Sequence, residues 1–196
     1  MEFNLLSDIV EYCVKEKKDM AQAMLDYEMR NKHLSREEVY EGLKRILRVM
    51  ESSVEQGLTE MVISPSGMLN NWAKTVYNAK VETLGASLKK AVARAIAVGE
   101  VNACMGKIAA APTAGSAGIM PAVLVTMMEE HKVSRDRVLE GLLVSSAVGL
   151  IFAKNSSFAG SEAGCMGETG SAAAMAAATI VFLMGGSNEQ ILEAVG

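Results

Sequence analysis

Two glycine-rich stretches carry the side chains and backbone best suited to chemistry. The first covers residues 159–170, AGSEAGCMGETG, where Cys165 stands among four glycines with Glu162 and Glu168 on either side. A thiolate is a nucleophile or a metal ligand. Flanking glycines leave it approachable, and the N-terminus of a following helix favours its charge. Against this, a lone free cysteine is more often a small buried hydrophobe, and one cysteine does not hold a metal cluster. The second stretch covers residues 109–118, AAAPTAGSAG. Its small residues let backbone N–H groups approach an anion, and the helix that follows adds the positive end of its dipole. The GxxxxGK[ST] phosphate-loop pattern is absent, so a plain tight turn stands level with the anion reading.

The remaining reactive types have duller addresses. Cys13 lies on an amphipathic helix and is expected to pack; Cys104, near a helix end in VNACMGK, is either core or a second reactive thiol. His33 and His131 sit at charged helix ends and are expected to be solvated, and no Ser/His/Asp triad has an address. The 14 methionines fall mostly at helical core spacing and read as packing. The net charge of −4 disfavours nucleic acid as a partner, because phosphate binding needs clustered Lys and Arg, and the clusters at 15–18 and 44–48 fit exposed helix faces. No secretory leader pattern opens the sequence, and no uncharged apolar run reaches the ~18–20 residues that span a bilayer. Three cysteines make no disulfide framework. A cytoplasmic chain with reduced thiols and no membrane association is expected.

The elements that must position these groups are helices. At 50% hydrophobic residues, the chain can bury a substantial core in one domain, or one and a piece. Over 35–57, Ser35 and Glu38 form a capping box. Val39, Leu43, Ile46, Leu47, Met50 and Val54 recur at helical spacing, and Gly57 suits a C-terminal cap. Helices are expected over 5–18, 20–31, 72–84 and 86–105. ISPSGMLNNWAK (63–74), rich in turn formers, reads as a loop. After the 109–118 loop a helix restarts with Pro121 in its first turn. Ser134 caps RVLEGLLVSSAVGLIFAK, which is apolar nearly all round and belongs in the middle of a bundle. Residues 159–170 are expected as a loop carrying Cys165 as a free thiol, followed by an alanine-rich helix over 171–184. Ser187 and Gln190 make a further capping box. The chain stops about two turns later, and because isolated short helices are marginal, a missing C-terminal portion is expected. The fold class expected is all-α, a multi-helix bundle with glycine-rich loops between helices.

Taken together, VNACMGKIAAAPTAGSAGIMPAVL (101–124) and NSSFAGSEAGCMGETGSAAAMAAA (155–178) resemble the alpha subunit of the iron–sulfur-dependent L-serine dehydratases. MAQAMLDYEM and LRVMESSVEQGL resemble the separate alpha chain of the two-subunit bacterial form, so the likeness covers nearly all of residues 1–196 as one alpha-type catalytic domain. The resemblance implies conversion of L-serine to pyruvate and ammonia with a [4Fe–4S] cluster and without pyridoxal phosphate. It also implies a beta-subunit partner and an oligomer. Cys165 matches the cysteine of the family's GC-x-GE motif, the first of three cluster ligands. The other two are expected past residue 196, which leaves this chain alone without a stable cluster and inactive. The open iron of such a cluster acts as a Lewis acid on the substrate hydroxyl. By the same resemblance, Thr113, Ala114, Gly115 and Ser116 supply donors for the substrate carboxylate, and Ser64, Ser66 and Gly67 form a second cradle. Glu168 orients the ligand or handles protons, or else hydrogen-bonds loop backbone. The resemblance does not name the general base, which the missing C-terminal portion or the beta subunit could supply.

The sequence also departs from that pattern. Where the family has a TGGDA-like segment, this chain has LNNWA, with Asn70, Asn71 and Trp72 replacing two glycines and an aspartate. Trp72 is then a lid or, as expected here, a helix-start anchor. The change opens two alternatives: the same chemistry on threonine or another β-hydroxy amino acid, or a degenerate non-catalytic subunit. A pyridoxal-phosphate enzyme using Lys107 or Lys154 is disfavoured, because it needs an α/β scaffold and no parallel strands are evident. Cys104 is not counted as a ligand, since relatives mostly have Ala or Ser there.

Overall fold

A computed structural model describes residues 2–81 and 83–196. The chain is 71% helical, with nine α-helices and no strand among the described residues, as the all-α expectation requires. They are α1 (Leu6–Glu16), α2 (Met20–Lys32), α3 (Arg36–Thr59), α4 (Trp72–Asn78), α5 (Ala86–Ala103), α6 (Ile119–Glu129), α7 (Arg135–Asn155), α8 (Gly160–Leu183) and α9 (Asn188–Val195). The chain divides into two compact units. One comprises Met1–Arg45 and Val133–Gly196, the other Ile46–Lys132, so that the division falls within α3.

In the first unit α7 is the central helix, packed against α8, α2 and α1. Val138, Leu139, Leu142, Leu143, Val144, Ala147 and Val148 are all buried, as expected of a helix apolar nearly all round. By length and composition α7 and α8 could each cross a membrane, yet half of each apolar window is buried within the protein, the position of a core helix. Caps start α7 and α9 where local sequence predicts. Ser134 Oγ accepts from Arg137 N at 3.3 Å, and Ser187 and Gln190 form the reciprocal box of α9. The short α9 is docked: Ile191 is fully buried, and the Asn188 side chain accepts from Met20 N at 3.0 Å and donates to Lys18 O at 3.2 Å.

Cys13 packs as expected, and burial, reinforced by the Asp19 and Glu189 carboxylates, pushes its thiol up to about 11. A raised thiol pKa means the native state favours the neutral form. The associated stability is complete below the ordinary thiol pKa and is lost as pH rises through about 11. At pH 8 only roughly one Cys13 in a thousand is then thiolate. Iodoacetamide at that pH is expected to label exposed Cys165 first and Cys13 only on unfolding, which peptide mass spectrometry reads directly.

In the second unit Val54, Val98, Ala117 and Val125 form a core, with Leu58, Ile108 and Met128 packed against it. Gly57 is not a helix terminator: α3 runs on to Thr59. A Cβ on Gly57 would lie 2.5 Å from the Ala97 carbonyl oxygen, so this glycine is where α3 and α5 touch backbone to backbone. Gly57→Ala is expected to cost ~1–3 kcal/mol through this clash, although alanine is intrinsically the better helix former by ~1 kcal/mol. Urea denaturation checks the sign. α4 ends at Asn78, well short of the expected 84, because Ala79 turns to extended backbone and its carbonyl accepts Lys89 Nζ at 2.9 Å. Within the expected span, Glu82 lies outside the described residues. The fully buried Arg94 of α5 donates to Thr126 Oγ1 at 2.7 Å and pairs with Glu129 of α6 and with Glu130 just past its end; Lys90 Nζ meets Glu130 at 2.8 Å. The methionines divide: Met20, Met24, Met50, Met120, Met127 and Met175 pack, but Met61, Met68, Met105, Met166 and Met184 are exposed. Three of the exposed ones sit in or beside glycine-rich turns, where no helix face offers burial.

Candidate active site

The 62–71 segment closes on itself. Ser64 O accepts from Gly67 N at 2.8 Å, Ser64 N donates to Leu69 O at 2.9 Å, and Ser64 Oγ accepts from Leu69 N at 3.1 Å. Gly67 sits at φ 71, a left-handed position that favours glycine. The buried Ser64 is thus occupied in holding the turn, its hydroxyl 3.2 Å from that of Ser66, while Ser66 and Gly67 are exposed. An isolated antiparallel bridge joins Ile63 and Asn70, and Asn71 N donates to Val62 O at 3.2 Å.

The 109–118 segment is built around one hydroxyl pair. Thr113 Oγ1 and Ser116 Oγ lie 3.1 Å apart, and Ser116 N donates to Thr113 Oγ1 at 3.3 Å, the local turn that Ser and Thr side chains favour. Ser116 is buried and its hydroxyl also reaches Ala111 O at 3.4 Å. Ala117 is in the core. Gly118, where α6 begins, abuts α5 so closely that a Cβ would sit 2.4 Å from Ala95 O. Between these anchors Ala114 and Gly115 are exposed. Among the described residues their N–H groups donate to no protein acceptor. The Ala111–Pro112 peptide is cis.

Both segments are tied to the last turn of α5. Glu100, fully buried, accepts from Trp72 N at 2.7 Å and Ala73 N at 3.1 Å, the first N–H groups of α4. Asn102 Nδ2 donates to Ala114 O at 3.2 Å. A cavity of about 130 Å³ lined by Val62, Ile63, Val101, Cys104 and Gly106, among others, lies beside the same turn. Trp72 begins α4 and its backbone N–H is held by Glu100, while its indole is half exposed. Nothing in the residue pattern singled out Glu100, since a glutamate in a helix normally reads as solvated.

Cys165 and Glu168 belong to the first unit, and there the structure corrects an expectation. Residues 159–170 are not a loop: α8 begins at Gly160, with a single break at Gly164 (φ 68). Four glycines suggest a loop because each costs ~1 kcal/mol in a helix. Only Gly164 uses its freedom, while Thr169 and Ser171 hydroxyls donate to the Cys165 and Gly167 carbonyls one turn back. Cys165 is an exposed free thiol directly after the break, and Gly164 has open space on its Cβ side. Glu168 is half-buried, with Oε2 beside Gly160. His33 and His131 are exposed, the latter 3.3 Å from Ser87 Oγ.

This arrangement offers a rigid, exposed backbone edge suited to a carboxylate and, separately, an accessible thiol on a helix start. The chain is similar to known proteins over nearly its whole length. The chain is 40% identical over 194 residues to the L-serine dehydratase alpha chain of Peptoniphilus asaccharolyticus, covering 97% of this chain and 66% of that protein. It is 35% identical over 196 residues to a probable L-serine dehydratase alpha chain of Bacillus subtilis (strain 168), covering 98% and 65%. Against L-serine dehydratase TdcG of Escherichia coli (strain K12) the identity is 29% over 202 residues, covering 98% and 44%. The chain thus spans a little under two thirds of the alpha chains it matches. The family model for the serine dehydratase alpha chain matches residues 15–196, and the chain belongs to that family.

Proposed function

We propose that the chain is the alpha-type catalytic part of an iron–sulfur L-serine dehydratase, which eliminates water and then ammonia from L-serine to give pyruvate. The observation that carries the reading is the Ala114–Gly115 edge, with two N–H groups free of protein acceptors in a loop already locked by Thr113, Ser116 and Asn102. A substrate carboxylate accepts from these donors without ordering the loop first, which avoids a cost that flexible sites carry. In this reading Ser66 and Gly67 form a second polar edge, and Glu168 orients a ligand or moves a proton.

Cys165 suits one corner of a [4Fe–4S] cluster, being exposed, unpaired and next to open space. Such a cluster needs further thiolates. Among the described residues no three Cys, His, Asp or Glu side chains stand together, and the proposal takes the remaining ligands from elsewhere in the complete enzyme. When bound, a cluster with an open iron supplies Lewis-acid polarisation of the substrate hydroxyl. The reading does without pyridoxal phosphate; of the two lysines weighed for that cofactor, Lys154 donates to Phe3 O at 2.5 Å. A beta chain, an oligomeric assembly and a cytoplasmic setting complete the proposal.

The test is the complete protein, reconstituted anaerobically with its beta chain and assayed on L-serine and L-threonine. Serine turnover with a brown iron–sulfur spectrum is expected. Faster turnover of threonine overturns the substrate, a yellow aldimine bleached by borohydride overturns the cofactor, and inactivity on both favours a non-catalytic subunit.

A further inference from the structure

We propose that Glu100 is a positioning residue for the substrate loops, acting through the backbone of Trp72 and Ala73. Its relevance to serine rests on the dehydratase reading above, but its geometry does not. A glutamate with 1% exposure is unusual, because an ionisable group taken from water needs compensation. Among the described residues no Lys, Arg or His pairs with it, and two backbone N–H groups provide that compensation. An ordinary cap was at hand in Asn71, a residue type favoured before a helix. Asn71 instead lies at φ 55 and turns its Oδ1 back to Val62 N at 3.1 Å. The work is divided: Asn71 closes the 62–71 loop on itself, and Glu100 pins the closed loop to α5. Two residues later Asn102 holds the Ala114 carbonyl at 3.2 Å, at the exposed edge of the other loop. One turn of α5 therefore sets the places of both donor-bearing segments, and Glu100 is its buried, charge-bearing member.

The protein carries its own reporter, since its single tryptophan is Trp72, whose N–H Glu100 holds. Three variants of the complete enzyme test the proposal: Glu100→Gln, Glu100→Asp and, as control, Arg94→Met. In E100Q the amide oxygen still accepts one N–H, but the amide NH2 faces the other. KM for L-serine is expected to rise about tenfold with kcat within about threefold, the size of one lost charge-assisted hydrogen bond. Trp72 emission moves to the red and its anisotropy falls. E100D keeps the charge but is one methylene short, so its effects are smaller in the same direction; it also serves if E100Q does not fold. Arg94→Met removes another buried group from α5 and lowers Tm, with KM and the Trp72 signals unchanged. A lowered Tm with wild-type KM and unaltered Trp72 signals in both Glu100 variants means a structural cap only and overturns the proposal. Should the wild-type enzyme not turn over serine, the dehydratase reading fails separately, and the Trp72 signals alone decide whether Glu100 positions the loop.

Discussion

Cys165→Ser is expected to reduce L-serine turnover by the complete enzyme on the order of a hundredfold or more, the least that loss of a metal ligand costs when outer partners alone cost 10–100-fold. The fold should not notice. The thiol is exposed, and the side-chain hydrogen bond from Thr169 Oγ1 at 2.7 Å is accepted by the Cys165 carbonyl, backbone that serine retains. An exposed substitution of this kind stays within ~0.5 kcal/mol in stability. A serine hydroxyl keeps its proton under conditions where a thiolate binds iron, and the harder oxygen suits an iron–sulfur cluster poorly. Iron content, turnover and Tm should therefore separate: the first two fall and the third stays. Full turnover with full iron content in the variant removes Cys165 from the ligand set.

What could be read in advance follows the range of the interaction. The capping boxes at Ser35/Glu38 and Ser187/Gln190 involve residues three apart, and both form as expected. The apolar periodicity of α7 has one solution, burial, and it is buried. Glycines are legible only where their reason is local. Gly67 marks a turn and makes one, but Gly57 and Gly118 are glycine because another helix lies against them, information held in the backbone of Ala97 and Ala95. Within residues 160–170 the same ambiguity turned a broken helix into an expected loop. In the candidate site Thr113 and Ser116 were expected as donors to a substrate carboxylate, and their bonding to each other was not read in advance. The burial of Glu100 and Arg94 was not legible, because a charged residue in a helix is buried only by the choice of neighbours, which a single sequence does not print.

Phe182→Ala should be the most damaging single change to the first unit, at ~3–5 kcal/mol. The side chain is almost fully buried near the end of α8, and the Arg137 guanidinium lies 3.6 Å above its ring centroid. Arg137 Nη2 also donates to the Phe182 carbonyl at 3.0 Å, while Nη1 pairs with Glu140 at 2.9 Å, so the α7–α8 contact has an apolar and a cationic part on the same two residues. Alanine leaves a cavity and takes away the ring face together. Against a typical total of ~5–15 kcal/mol, that is about a fifth of the stability or more. Phe182→Leu separates the two contributions. It retains most of the volume and should cost ~1.5 kcal/mol or less from shape, plus ~0.5–2 kcal/mol for the lost cation–π contact. If leucine costs as much as alanine in urea denaturation, the guanidinium–ring contact, not volume, dominates. The buried Cys13 gives a second readout. Its alkylation at pH 8 requires opening of the same unit, so it should accelerate in the alanine variant, by roughly tenfold for every 1.4 kcal/mol if full unfolding is the route. Unchanged Cys13 labelling beside a large drop in the urea midpoint would mean that Cys13 is reached by a local opening that does not involve the α7–α8 pair.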